Sequence, residues 1–546
     1  MLETRFLTIM FLISLTVCVG LLLALSWQER ARWRSRLTAA TTLPREPAAW
    51  LRWIGVMACV LYVGLMSMHG YWSFFAAGPL SEDAVFVQQQ QRRDVRHRRI
   101  EEIGLRGWIF DRAHSVASGL AGYRWDGGSM KRVYMLGQKA VHVVGYSSML
   151  RSRSGIELAY EDRLGSSLSR WQLLPRRTLV GEDVVLTLDQ ELQSLAADQL
   201  AHANKPGAVV IVQVHTGDVL AMASFPTFDP HMIDQDDVWN QLRRDPKKPF
   251  LNRALHEYYL PGSTFKVIVA ATALAHGWSN PKFVCTAQGY RPPGASKLIY
   301  DDRGPAQAHG QIDLGAAMRV SCNQYFAQLG VKLGYQQLAA TTEQFGFRRD
   351  ATPEQARERQ FDARLWNDSQ AAFSRVFRPN VSRLVLSDQT TAGDLAFQAY
   401  GQGFVQVTPL HMALVAAAIA HDGQMMTARL DMQRDPQLLR RVLSAQDART
   451  LQAMMVRVTE PGGTAAGPFA ALRAKGIRAA GKTGTAQFME GSQTRLDSWF
   501  IGFAPADQPQ IAYAIVVEGG GYGSETAAPI AAALVEAAAR KRWLKP

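Results

Sequence analysis

The stretch LPGSTFKVIVAATALAHG, Leu260 to Gly277, governs how the rest of the chain is read. Past its proline and glycine it is apolar on every side of a helix, as in a segment buried in the middle of a domain. Yet it opens on Ser263 and carries Lys266 one turn further on. A lysine stripped of water must pair, lose its proton, or both. A serine at a helix start has free backbone N–H groups and the positive end of the dipole beside it, which favour an oxyanion. A hydroxyl and a buried amine on one helix face are therefore candidates for a nucleophile and its base.

Two further motifs follow in order. Ser321-Cys322-Asn323 falls between the helical patterns DLGAAMRV and QYFAQLGV, so Ser321 is expected in a loop, able to relay a proton while Asn323 holds a substrate amide. Lys482-Thr483-Gly484 lies in the strand-like GKTGTAQF. There Lys482 is the candidate cation that lowers the Lys266 pKa, and Lys482 and Thr483 can bind a substrate carboxylate. Each residue has a plainer role open to it: Ser263 and Asn323 as caps, Lys266 snorkelling to the surface, Lys482 as an edge-strand charge. S-x-x-K alone occurs by chance in a chain of this length, but S-x-x-K, S-x-N and K-T-G in this order mark serine acyltransferases that recognise penicillin.

Outward from these motifs the chain divides into blocks. Thr187 and Asp189 offer capping side chains to a helix. Ala208 to Val214 and Val219 to Ala223 flank HTGD as a hairpin. The middle, to about residue 420, is helical except for a weakly patterned insertion between Phe347 and Ala396, and the last part returns to strands in GKTGTAQF, SWFIGFAP and QIAYAIVVE before an alanine-rich helix. Strands at both ends and helices between predict one α+β domain over 181–546 whose sheet is completed by its two terminal regions. Residues 82–180 are polar, arginine-rich and irregular with β-like runs such as VYMLG and VHVVGY, a small β-rich pedestal.

Phe6 to Trp27 and Trp53 to Ser81 contain no charged residue. Each is long enough for the ~20 apolar residues a bilayer requires, and they predict transmembrane helices at 6–28 and 53–78. The loop between them, 29–52, holds Arg30, Arg32, Arg34, Arg36, Arg45 and Arg52 against Glu29 and Glu46, which makes it cytoplasmic and sends everything after Ser81 outward. A cleaved signal peptide is the competing reading of the first segment, but its start lacks a basic region.

The chain of 546 residues, 47% hydrophobic and 20% charged, is globular in composition. Its net charge of +13 suits an anionic surface, and with no nucleic-acid motif in sight lipid headgroups are the better match. Of four cysteines, Cys18 and Cys59 fall in the apolar segments, leaving Cys285 and Cys322 as the pair that could meet; their spacing has no metal-ligand pattern.

The ordered motifs RGWIFDR (106–112), GIELAYEDRLG (155–165), YYLPGSTFK, SCNQYF, GQGFVQVTPL (401–410), GGTA (462–465), GKTGTAQ and WFIGFAP resemble those of the class B penicillin-binding proteins, the monofunctional peptidoglycan D,D-transpeptidases. The resemblance implies a serine β-lactamase-like transpeptidase domain with an antiparallel sheet flanked by helices. It implies that Ser263, Lys266, Ser321, Asn323 and Lys482 are catalytic and that Thr483, Gly484 and Thr485 bind the terminal carboxylate of a D-Ala-D-Ala stem peptide, with an oxyanion hole from the N–H groups of Ser263 and Thr485. It implies acylation by β-lactam antibiotics and action on stem peptides of lipid-linked nascent glycan, with no metal or cofactor. Residues 82–180 are too few for the glycosyltransferase domain of class A members, which implies a multispan SEDS-family glycosyltransferase and other cell-wall assembly proteins as partners. Two alternatives use the same motifs: a membrane-bound β-lactam receptor or β-lactamase, and a non-catalytic cell-wall scaffold.

Overall fold

The computed structural model describes residues 104–126, 129–165, 179–302, 304–355, 360–490 and 493–541, with Met57 and Tyr62 alone ahead of them. The helices expected at 6–28 and 53–78 and the basic loop at 29–52 otherwise lie outside the described residues, and among the described residues no helix is long and apolar enough to cross a membrane.

The region expected as a pedestal at 82–180 is organised around charge, and its sheet takes its last strand, Val184–Val185, from beyond residue 180. Its four-stranded sheet runs in the order Ser129–Tyr134, Gly119–Asp126, Ile109–Phe110, Val184–Val185, the last pair parallel. Against it the motifs RGWIFDR and GIELAYEDRLG meet at Glu157, which is fully buried and takes Arg106 Nε and Arg132 Nε on its two oxygens, each at 2.8 Å. Arg106 also reaches Glu161 at 2.9 Å. The pedestal is tied onward by Arg163 to Asp431 at 2.6 Å and by the Tyr160 hydroxyl donating to Asp368 at 2.7 Å. One β-like run behaves otherwise than expected: VHVV, Val141–Val144, is a short helix. Val141, Val143 and Val144 are all buried there, and packing on both sides of a turn overrides the β preference of valine.

In the larger part Asp189 accepts from the N–H groups of Glu191 and Leu192 at 3.0 Å and caps helix α1 (Gln190–Ala203). Thr187, the other candidate cap, instead donates to Val219 O at 2.8 Å. HTGD turns the hairpin of β1 (Gly207–Gln213) and β2 (Val219–Phe225). The middle comprises α2 (Lys266–Ala275), a hairpin of β3 (Lys282–Cys285) and β4 (Gly310–Asp313), α3 (Leu314–Val320), α4 (Asn323–Gln344), α5 (Pro409–Ala420) and α6 (Ala445–Thr459). The insertion supplies two strands, Arg348–Asp350 and Arg383–Val385, to a small sheet completed by Val405–Gln406 beyond it. The chain returns as β5 (Ala480–Glu490), β6 (Gln493–Ala504) and β7 (Ile511–Val517), then α7 (Ala527–Arg540).

The central sheet has the order β2-β1-β7-β6-β5 and is antiparallel throughout. The N-terminal hairpin and the C-terminal strands thus complete one sheet, as the sequence pattern requires. All of β7 and all of β1 but Gln213 are buried, so both faces must be covered. Helices α1 and α7 pack on each other and on the sheet, and α5 and α6 form a second such pair. This leaves β5 at the edge of the described sheet, packed against α6 and the turn Gly262–Phe265 that leads into α2.

Removing Glu157 takes away the buried carboxylate that the largely buried Arg106 and Arg132 share, leaving Arg106 only Glu161. Glu157→Ala is expected to cost about 3–5 kcal/mol, read as a fall in Tm or in denaturant midpoint. A change below about 1 kcal/mol, the range of exposed pairs, would show that the Arg106–Glu157–Arg132 knot is not what holds the pedestal.

Candidate active site

Ser263 sits in a 3-10 turn, Gly262–Phe265, that feeds α2, rather than in the α-helix itself. Its N–H belongs to a first turn, whose donors have no intrahelical acceptor. The turn presses on the edge strand with no room between. Gly262 has φ +53°, and a Cβ there would stand 2.5 Å from Thr485 O; one on Gly484 would stand 2.8 Å from Thr264 Cγ2 and 3.0 Å from Pro261 O. The glycines of P-G-S and K-T-G are therefore the same contact seen from its two sides. It carries Ser263 to the strand that bears Lys482, Thr483 and Thr485.

Lys266 is fully buried. Its Nζ donates to Ser321 O at 2.6 Å and to Asn323 Oδ1 at 2.7 Å, lies 3.3 Å from Ser321 Oγ, and stands over the Phe326 ring at 5.5 Å. Ser321 can present both oxygens because it ends α3 in the left-handed region, φ 60° and ψ 38°, a conformation rare outside glycine. Lys482, also fully buried, places Nζ 2.7 Å from the same Ser321 Oγ and donates to Thr483 O at 2.9 Å. Two amines thus share one hydroxyl. Among the described residues no hydrogen bond joins Ser263 Oγ to Lys266, in keeping with catalytic contacts that tighten only when substrate is bound.

Burial pushes Lys266 down to about 8, with Asp301 and Asp302 pulling the other way. Burial pushes Lys482 well below the usual lysine range, and the Lys266 ammonium adds to it. The sequence expectation made Lys482 the cation that depresses Lys266, but the stronger depression falls on Lys482. The difference is local: Asp302 supports both ammonium groups, but Asp301 supports Lys266 alone, which also donates to Ser321 O and Asn323 Oδ1.

Asn323, at the start of α4, donates from Nδ2 to Tyr300 O at 3.1 Å, and its backbone N–H is taken by Asp301 Oδ1. On β5 the Thr483 hydroxyl pairs with Thr464 Oγ1 at 2.7 Å, while the Thr485 hydroxyl accepts from Gly523 N–H at 3.3 Å. All the residues expected to be catalytic or to bind substrate are thus gathered at one place. Asp301, Asp302, Thr464 and Tyr522 join them without having been singled out. Thr464 lay in the quoted GGTA motif and Tyr522 in the glycine-rich GGGYGSE after the last strand, whereas nothing local distinguishes the two aspartates. His256 and His411 are not part of the site. His411 is fully buried with Nε2 bonded to Phe345 O at 2.7 Å.

Two open pockets meet at the serine. One, about 250 Å³, is lined by Ser321, Thr464, Thr483 and Ser524; the other, about 680 Å³, by Lys297, Tyr300, Phe397, Tyr400 and Gln487. Ser263, Asp302, Thr485 and Tyr522 line both. A hydroxyl at a helix-type N-terminus, a buried amine with a depressed pKa, and a second hydroxyl between two amines can carry out acyl transfer.

Known proteins share this architecture. A family model described as the penicillin binding protein transpeptidase domain matches residues 207–536. Peptidoglycan D,D-transpeptidase PbpA of Mycolicibacterium smegmatis is 32% identical over 533 residues, covering 90% of this chain and 99% of that protein. Peptidoglycan D,D-transpeptidase PbpA of Mycobacterium tuberculosis H37Rv is 30% identical over 443 residues, 74% of this chain and 84% of its own. Among solved structures, the penicillin G acyl-enzyme complex of penicillin-binding protein A from M. tuberculosis superposes with a TM-score of 0.65 at 28% identity, covering 80% of this chain and 100% of that one. With a family model spanning more than half of its residues and a relative aligned over almost its full length, the chain belongs to the penicillin-binding protein transpeptidases, among the class B members.

Proposed function

We propose that the protein is a peptidoglycan D,D-transpeptidase that cross-links stem peptides through an acyl-enzyme on Ser263. The observation that carries this is the arrangement of Ser263, Lys266, Ser321 and Lys482 beside the Thr483–Thr485 edge strand, at the meeting point of two grooves. A transpeptidase has to bring two peptides to one serine, and two grooves supply a place for each.

Ser263 Oγ attacks the carbonyl of the penultimate D-alanine and passes its proton to Lys266 in its neutral form. The N–H groups of Ser263 and Thr485 receive the oxyanion, and the hydroxyls of Thr483 and Thr485 hold the terminal carboxylate. Collapse of the tetrahedral adduct breaks the C–N bond. Ser321, bridging the two amines, relays the proton to the departing D-alanine nitrogen. The amine of a neighbouring strand then attacks the ester, forms the cross-linking amide, and returns a proton to Ser263. β-Lactams enter the same path and stop at the ester.

The catalytic part works on the outer side of the bacterial cytoplasmic membrane, anchored by helices at 6–28 and 53–78. The uncharged segments and the arginine-rich 29–52 loop support this placement. Glycan polymerisation comes from a multispan SEDS-family glycosyltransferase in the same membrane, since residues 82–180 have no room for a polymerising domain.

Incubation of the purified protein with a fluorescent penicillin is expected to give stable labelling that Ser263→Ala abolishes. Rapid release of hydrolysed drug would instead mark a β-lactamase, and absence of labelling a scaffold. The labelling rate should rise with pH as Lys266 loses its proton, steeply below about 8 and flat above, because only the free amine can accept the serine proton. Lys266→Met should remove labelling while leaving Tm near wild type; a variant that labels normally, or a rate independent of pH, excludes Lys266 as the base. Alkaline phosphatase fused after Ser81 should be active in cells and the same reporter within 29–52 inactive, and the opposite pattern would overturn the topology.

A further inference from the structure

Behind the Ser321–Asn323 segment four side chains converge that the transpeptidase chemistry does not use. Cys285 closes β3, His309 stands just before β4, Asp301 lies in the long loop between them, and Cys322 caps α4. Their ligand atoms all lie within 4.8 Å of one another. Asp301 Oδ2 is the hub, with Cys285 Sγ at 3.0 Å, Cys322 Sγ at 3.3 Å and His309 Nδ1 at 3.3 Å, and Cys285 Sγ is 3.4 Å from His309 Nδ1. Cys285, Cys322 and Asp301 are buried, while His309 reaches the surface with 16% of its side chain.

Three donor groups on a single carboxylate oxygen inside a core make a poor hydrogen-bond network but a good ligand shell. Tetrahedral zinc with sulfur at about 2.3 Å and nitrogen or oxygen at about 2.0–2.2 Å sets neighbouring ligand atoms about 3.3–3.8 Å apart, and the four separations above lie at or just below that range. Two thiolates and an imidazole select a borderline-soft dication over magnesium or calcium. The negative charge that two thiolates and a carboxylate place in the core is tolerable only against such a cation.

We infer that Cys285, Asp301, His309 and Cys322 form a structural zinc site that fastens the wall of the substrate cleft to the S-x-N motif. The four protein ligands fill the coordination sphere, so the metal touches no substrate. Its effect passes through Asp301. While Oδ2 faces the metal, Oδ1 receives the Asn323 N–H, and Asn323 in turn holds Lys266 through Oδ1 and is itself held by Tyr300 O. The same loop carries Tyr300 and Asp302 on the cleft side. The metal thus immobilises Asn323 and that wall together. Asp301 is a positioning residue.

The test uses the untagged full-length protein, purified in detergent without chelator. Elemental analysis should find one zinc per chain, absent from Cys285→Ser and His309→Ala and retained in Ser263→Ala. Cobalt loaded in place of zinc should show thiolate-to-metal charge-transfer absorption, which a purely structural role for the cysteines does not produce. Stripping the zinc should lower Tm and slow penicillin labelling about tenfold or more, with both restored by stoichiometric Zn2+. The inference falls if no metal binds when Zn2+ is supplied, or if intact mass shows Cys285 and Cys322 joined as a disulfide, two hydrogens lighter. The metal content is read independently of catalysis, so a chain that binds no zinc yet labels normally would remove this site and leave the transpeptidase function standing, while zinc that binds but whose removal leaves labelling unchanged would overturn the positioning role of Asp301.

Discussion

Lys266 and Lys482 are both cut off from water and both reach the hydroxyl of Ser321. Burying an ammonium costs several kcal/mol unless acceptors replace the lost hydration, and two on one oxygen cannot both remain charged without further cost. The surrounding structure answers that demand. Ser321 is held in a left-handed conformation so that its carbonyl and hydroxyl face the same amine. Asn323 is clamped from behind so that its side-chain oxygen does so too. What results is a pair of buried amines on one hydroxyl, both held below the usual lysine range by burial.

The sheet supplies the fixed frame for this pair. Lys482 comes from its edge strand and Lys266 from the first turn of a buried helix, and these meet because Gly262 and Gly484 let backbone lie on backbone. A side chain at either place would push the strand from the serine and open the amine pair to water. The threonines of the edge strand then lie in register along the groove, each with its hydroxyl oriented by a neighbour, Thr464 or the Gly523 N–H. The pedestal stands apart from this chemistry, held by the Arg106–Glu157–Arg132 knot and joined to the larger part through Arg163 and Tyr160.

The residues that meet at the candidate site were legible because each carries a local signature: an ammonium in an apolar helix, a small polar triplet between helical patterns, a lysine in a strand. The strands β1, β2 and β5 to β7 were legible for the same reason, as apolar runs broken by turn residues. Val141–Val144 was misread because four residues of strand-like composition cannot report what packs around them. The order of the two lysine pKa shifts was also out of reach. It depends on Asp301, which acts on Lys266 and not on Lys482 and lies in the loop between β3 and β4, far from either lysine in sequence.

What the sequence determined by itself was which side chains are candidates for the site and which layers carry them, since helix and strand periodicity and helix-end chemistry are properties of neighbouring residues. What only the tertiary structure decided was everything that depends on separations of a few ångströms between distant segments. Thr464 meeting Thr483, Asp301 behind Asn323, and Cys285 brought to Cys322 across a hairpin and a helix all belong to that class. The physical reason is the same in each case. A hydrogen bond or a ligand shell is a short-range interaction in space, and where two segments come into range is fixed by how the whole core packs, not by their spacing along the chain.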